Sequence, residues 1–314
     1  MKVRIISALV GIVLLVGILL CPYTLALAIA AALLSAMAVW ELMYNTGIVK
    51  NRVQVIGAML CSAVGVIVMY LAKVVWNESL SAFADERLQL IAQAGQWMKL
   101  LMALPLIYGV FTAIVWVFNI KKMEYNDVCY GFLIPFYPTL GFGCLVLLRE
   151  LPTLDLWPLL LVMVIAWVSD TGAYFVGTFL GKHKMAPKIS PKKSWEGFFG
   201  GWVISVLASV GLFILRAETQ TVIPSGNMFR TLQFFLPVVV ILAPLSVVGD
   251  LCASWIKRHT GIKDYGNIMP GHGGVMDRFD SIVFIAPLLY MVLHNQTAIS
   301  GWLIDVYNTI GSWF

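Results

Sequence analysis

The chain has 314 residues, 60% of them hydrophobic and only 12% charged, where a soluble domain carries about 25% charged residues. Mean hydropathy is +0.88, which excludes an ordinary soluble domain and predicts an all-α, polytopic helical membrane protein. The net charge of +5 does not indicate a nucleic-acid partner, because the basic residues sit in short loops between apolar runs.

About nine spans are predicted, each near the ~20 residues that a bilayer core requires. The first covers residues 3–20. It reads as a retained span rather than a signal peptide, since a second apolar run starts at once after Pro22 and no A-x-A site closely follows. The second covers residues 23–44 and the third 53–76. Residues 77–99 are polar, with Asp85, Glu86 and Arg87, and are expected to lie on the membrane surface. The fourth to seventh spans cover 100–118, 128–148, 156–180 and 198–215. The eighth covers 232–248 and is expected to continue as a helix to Arg258; the ninth covers 281–293. The tail carries Trp302, Tyr307 and Trp313, a composition suited to a membrane interface. Residues 1–150 thus form an N-terminal set of membrane helices, and 151–314 a C-terminal catalytic region.

Lysine and arginine orient the chain. With the N-terminus in the cytoplasm, the cytoplasmic segments hold Lys2 and Arg4, then Lys50 and Arg52, then Lys121 and Lys122, and then the lysines of residues 181–197. Lys257, Arg258, Lys263 and Arg278 complete that side. Lys73, Arg87, Lys99, Arg149, Arg216 and Arg230 are left for the rest. The inside-rich pattern at every alternate loop places the N-terminus in the cytoplasm and the C-terminus on the opposite side. The five cysteines (Cys21, Cys61, Cys129, Cys144 and Cys252) are scattered and form no CxxC pair, so neither a zinc site nor a disulfide framework is supported.

Three groups of residues stand out from the apolar background. Asp170 lies well inside the sixth span, and a carboxylate there needs a polar cavity or a partner. The loop KHKMAPKISPKKSWEG offers Lys188, Ser190, Lys192, Lys193 and Ser194, a set of cations and hydroxyls suited to phosphate. Pro191 stiffens that loop. The third group spans residues 246–281. If the eighth helix continues, Ser246, Asp250, Ser254 and Lys257/Arg258 share one polar face, and Asp277 and Asp280 share another. Converging carboxylates suit Mg²⁺, which usually keeps substrate phosphates in its shell. Gly271, Gly273 and Gly274 flank His272 and allow close backbone approach to a ligand. Lys257, Arg258, Lys263 and Arg278 are candidate phosphate clamps. The expectation is a polar, cytoplasm-facing cavity in the C-terminal half that carries out phosphoryl or nucleotidyl transfer. From these residues alone the substrate stays open. A kinase or transferase for another lipid or polyprenol fits, and so does a cation-coupled transporter built on Asp170 and Asp250, although the chain lacks the internal repeat common among transporters.

Ser254, Lys257, Arg258, Lys263 and Asp264, followed by Pro270-Gly271-His272-Gly273-Gly274, Asp277, Arg278 and Asp280, closely resemble the signature of the phosphatidate cytidylyltransferases, or CDP-diacylglycerol synthases. The runs SPKKSWEG and SDTGAY are also similar to family segments, although Ser194 stands where threonine is common. The strong resemblance covers residues 166–285. It implies an enzyme of the bacterial cytoplasmic (inner) membrane that condenses CTP with phosphatidate. It implies Mg²⁺, with a second cation allowed, and a metal held by Asp250, Asp277 and Asp280. Lys192, Lys193, Lys257, Arg258 and Arg278 would clamp phosphates, Ser190, Ser194 and Ser254 would add hydrogen bonds, and Asp170 would line the same cavity. The resemblance allows a homodimer among membrane lipids, without a sequence feature that demonstrates one.

Overall fold

The structure is a computed structural model that describes residues 11, 13–19, 25–81, 84–151, 154, 156–219, 228–268, 271 and 273–295. It is almost entirely helical. The elements are α1 (Ala26–Trp40), a π-helical turn (Glu41–Asn45), α2 (Arg52–Ser81), α3 (Ala84–Phe118), α4 (Tyr125–Leu133), α5 (Phe136–Arg149), α6 (Trp157–Leu180), the strands β1 (Lys184–Ala186) and β2 (Ser190–Ser194), α7 (Trp195–Thr219), α8 (Met228–His259) and α9 (Met276–His294). Among the described residues, seven segments are long and apolar enough to cross a membrane. The predicted first span and the C-terminal tail fall largely outside the described residues, as does His272.

One expectation is corrected, and two gain detail. Residues 77–99 do not form a separate surface segment: Asn77 belongs to the end of α2, and α3 runs unbroken from Ala84 to Phe118. The run ADERLQLIAQA is rich in strong helix formers, and polar side chains at the helix start need no break in the backbone. The fifth span is two helices, α4 and α5, divided at Ile134-Pro135, where proline brings no N–H to continue the ladder. The basic loop after α6 holds a small antiparallel hairpin, with Lys184 opposite Ser194 and Ala186 opposite Ser190. The expected extension of the eighth helix is present, since α8 reaches His259.

The core is built around α5 and α9. Phe142, Val146 and Leu148 of α5 are buried, as are Ile282, Ile285 and Leu289 of α9. Gly141 lets α5 press on Val283, and Gly143 lets it press on Met69 of α2. Hydroxyls join helices where lipid tails give no hydrophobic drive. Ser35 and Ser62 oxygens are 2.5 Å apart, and Thr139 lies 2.8 Å from Ser62, which ties α1, α2 and α5 together. Large apolar side chains such as Leu106, Val117 and Leu207 face outward, as expected of a surface solvated by lipid.

The most extensive helix pair is α6 with α7. Its seam is lined by small residues. A Cβ on Gly197 would stand 2.6 Å from the Ala173 carbonyl oxygen, and one on Gly201 would collide with the Ser169 carbonyl oxygen and stand 2.8 Å from the Ala173 amide nitrogen. Glycines spaced four apart on α7 therefore bring two backbones together. That contact fixes Asp170 on α6 relative to the hairpin that leads into α7.

Candidate active site

The site collects at one end of the bundle, where α6, α8 and α1 finish and α9 starts. Side chains bind these ends together. Arg258 on α8 donates from Nε to the Ile189 carbonyl at 3.2 Å, which anchors the hairpin turn. At the hairpin base, His183 Nδ1 and Glu196 Oε1 are 2.6 Å apart, and the Trp195 amide donates to the His183 carbonyl at 2.9 Å. Lys193 on β2 is thereby carried over α8.

Two lysine–aspartate pairs form the centre. Lys193 Nζ is 2.6 Å from Asp250 Oδ2, and Ser254 Oγ donates to Asp250 Oδ1 at 3.2 Å, one helical turn along α8. Lys257 Nζ is 2.8 Å from Asp277 Oδ1. The second pair is the better shielded, with side-chain exposures of 12% and 7% against 20% and 24% for the first. Charges this buried need partners, and the pairing supplies them. Lys257 also lies over the Tyr265 ring, 5.2 Å from its centroid, a cation–π contact.

Asp277 does more than pair. Its Oδ2 accepts from the Tyr265 amide at 2.7 Å and from the Gly274 amide at 3.0 Å. One carboxylate thus closes the loop that runs from α8 to α9. Gly273 turns that loop with a φ of 87°, a conformation L side chains rarely adopt, and a Cβ there would stand 2.9 Å from Asp277 Oδ2. Tyr265 is fully buried and donates to the Ala253 carbonyl at 2.8 Å. Burial pushes its phenol well above the usual range, with Asp280 and Asp277 adding to the effect, so it stays neutral.

Asp280 is 7% exposed, and its Oδ1 accepts from the Ser281 amide at 2.7 Å. Asp170, Asp250 and Asp280 act on one another electrostatically, with Lys193 and Lys257 offsetting their charge. The sequence therefore points to residues that the fold brings together: Asp170, Lys193, Asp250, Ser254, Lys257, Asp277 and Asp280. Ser190 begins β2 half-buried. Lys188, Lys192, Lys263 and Arg278 are exposed. The buried Ser194 hydroxyl accepts from the Gly197 amide at 3.2 Å and so caps the start of α7.

Oxygen donors from Asp170, Asp250 and Asp280 are of the type that suits Mg²⁺. As arranged, however, two of the four carboxylates are paired with lysines, and among the described residues no group of three His, Cys, Asp or Glu stands ready to hold a metal ion.

Sequence reasoning missed Glu41. This residue is fully buried at the end of α1 and accepts from the Val275 amide at 2.9 Å and the Met276 amide at 2.8 Å. A carboxylate closing a span of apolar residues was the available signal.

Comparison with known proteins adds the chemistry. The sequence matches the cytidylyltransferase family over residues 2–295. It is 33% identical to a phosphatidate cytidylyltransferase of Staphylococcus aureus (strain COL) over 294 residues, 93% of this chain and 99% of that one. It is 34% identical to one of Staphylococcus epidermidis over 215 residues, 68% of this chain and 78% of the relative. A Staphylococcus saprophyticus relative of the same name is 31% identical over 93% of this chain and 99% of its own.

Proposed function

We propose that this chain, which belongs to the cytidylyltransferase family, condenses CTP with phosphatidate to give CDP-diacylglycerol and pyrophosphate. It is a CTP-dependent nucleotidyltransferase of phospholipid biosynthesis and an integral membrane protein. Relatives in bacteria support a place in the cytoplasmic membrane, and the charge pattern supports a cytoplasmic N-terminus and site.

The observation that carries the reading is the pairing of Lys193 with Asp250 and of Lys257 with Asp277 at one end of the bundle. Two ammonium groups held there on aspartates suit a polyphosphate that arrives from water. In the reaction, a phosphate oxygen of the lipid attacks the α-phosphorus of CTP. The bond from that phosphorus to the β-bridging oxygen breaks, and pyrophosphate leaves with the electron pair. Lys193 and Lys257 bind the phosphate oxygens and offset the charge that builds on them. Arg258, Arg278, Lys192 and Lys263 add cations around the rim, and Ser190 and Ser254 add hydroxyls. Asp277, Tyr265 and the glycine turn hold Lys257 in place. His272 lies in the same turn by sequence.

Mg²⁺ is the proposed cofactor, and when bound it would neutralise charge on the phosphates. Asp250 and Asp280, with Asp170 beside them, would hold it. Asp277, whose Oδ1 pairs with Lys257, would be a further oxygen ligand. The same preparation tests for a second cation and for a homodimer.

The test follows pyrophosphate release from CTP by the purified protein in detergent. Release that requires phosphatidate and Mg²⁺ together is the expected result. Release from CTP without phosphatidate, or none from a folded sample with all components, contradicts the reading.

A further inference from the structure

The signature residues lie in the C-terminal half, yet the loop that carries them is held from the other side by the end of α1. Glu41 and Asn45 both belong to the π-helical turn after that helix. Glu41 places one oxygen on each of the Val275 and Met276 amides, the first free N–H groups of α9. Asn45 Nδ2 donates to the Tyr265 carbonyl at 2.7 Å. The loop is therefore gripped at both ends, Tyr265 and Val275, by two residues four apart on one helical turn. Its glycines are cut to fit. A Cβ on Gly266 would stand 2.7 Å from Glu41 Oε1, and a Cβ on Gly274 would collide with the same carboxylate. On its inner side the same loop is gripped by Asp277, through the Tyr265 and Gly274 amides.

Burying an ionised carboxylate without partners is prohibitive, and here the partners are two amides at the positive end of a helix dipole. The carboxylate is therefore matched to this loop by charge as well as by shape.

We infer that Glu41, assisted by Asn45, is a positioning residue for the reaction: it fixes the 265–276 loop against α1 and so sets Asp277, which in turn holds the Lys257 ammonium that meets the substrate phosphates. The inference rests on the nucleotidyl-transfer reading above. It assigns a role to the N-terminal helices, which otherwise serve as membrane scaffold.

The test compares Glu41→Gln, Glu41→Asp and Asn45→Ala with the unmodified protein, measuring kcat, KM for CTP, and amide exchange of residues 265–276. Glu41→Gln keeps volume but turns an amide donor on one of the loop's N–H groups. It is expected to lower kcat by about 10–100-fold, the cost typical of losing an orienting partner, with a much smaller change in KM and faster loop exchange. Glu41→Asp keeps the charge at the expense of packing, and is expected to retain more activity than Glu41→Gln. A role in packing alone gives the reverse order, so Gln equal to or better than Asp overturns the inference, as does a wild-type kcat in Glu41→Gln. If the Glu41 variants do not fold, Asn45→Ala, at an exposed position, decides: a lowered kcat with unchanged thermal stability supports the role, and an unchanged kcat overturns it. An unmodified protein that is inactive with CTP and phosphatidate contradicts the underlying reaction, and the inference with it. A normally active one with indifferent variants overturns the inference alone.

Discussion

Lys193 Nζ and Asp250 Oδ2 stand 2.6 Å apart and join the hairpin after α6 to the end of α8. The pair is partly shielded, so each member offsets a charge that would otherwise be costly at the edge of a bilayer. Asp250→Asn is expected to lower kcat by about 100-fold or more, within the range for losing a group that holds cations against developing phosphate charge. Size-exclusion behaviour in detergent should be unchanged. Near-normal turnover in this variant removes Asp250 from the site.

Lys193→Met separates binding from structure at the same pair. It leaves Asp250 the hydrogen bond from Ser254 and the more distant charge of Lys257. The expected outcome is a KM for CTP raised about 10-fold, of the order of one lost charge-assisted phosphate contact. Equilibrium dialysis of CTP checks the binding directly.

Asp277→Asn tests the loop. Asparagine offers one acceptor oxygen in place of two, so the bonds to Tyr265 and Gly274 and the ion pair to Lys257 cannot all survive. Removing one partner of a buried pair costs about 3–5 kcal/mol. The variant should lose activity and show faster proteolysis between residues 259 and 276. Activity loss with wild-type protection of that segment would confine Asp277 to chemistry alone.

Gly201→Val tests the α6–α7 seam. The new side chain would meet the Ser169 carbonyl and the Ala173 backbone. Overpacking typically costs about 1–3 kcal/mol. A lower thermal unfolding temperature in detergent is expected. Because Asp170 follows Ser169 on α6, the helix that the new side chain would push, kcat should fall as well.

Metal removal gives the fifth expectation. Chelation of divalent cations should abolish pyrophosphate release, and Mg²⁺ should restore it. Turnover that persists in excess chelator would show that the lysines alone carry the phosphate charge.

The helical membrane class was legible from composition, because a chain this apolar has few other ways to satisfy its backbone. The carboxylates and lysines of residues 246–281 were legible because charge is rare and conspicuous against apolar sequence. Their partners were less so. Lys193 and Asp250 are 57 positions apart, and nothing in either local pattern says that they meet. Ser194 reads as a phosphate ligand and also caps a helix, since both tasks ask for a hydroxyl beside backbone N–H groups. The division of the fifth span was readable in Pro135, whose missing N–H was outweighed in the reading by the continuous apolar run. Glu41 escaped notice because its partners are backbone amides, which leave no mark in the sequence.

The central claim is that the cytidylyl group, with its α-phosphorus, passes to the lipid. CTP labelled at the α-phosphorus, and separately at the γ-phosphorus, should be incubated with phosphatidate and the lipid then extracted. The account predicts that α label enters the lipid and γ label stays in water as pyrophosphate. Entry of γ label into the lipid would mark a kinase and contradict it.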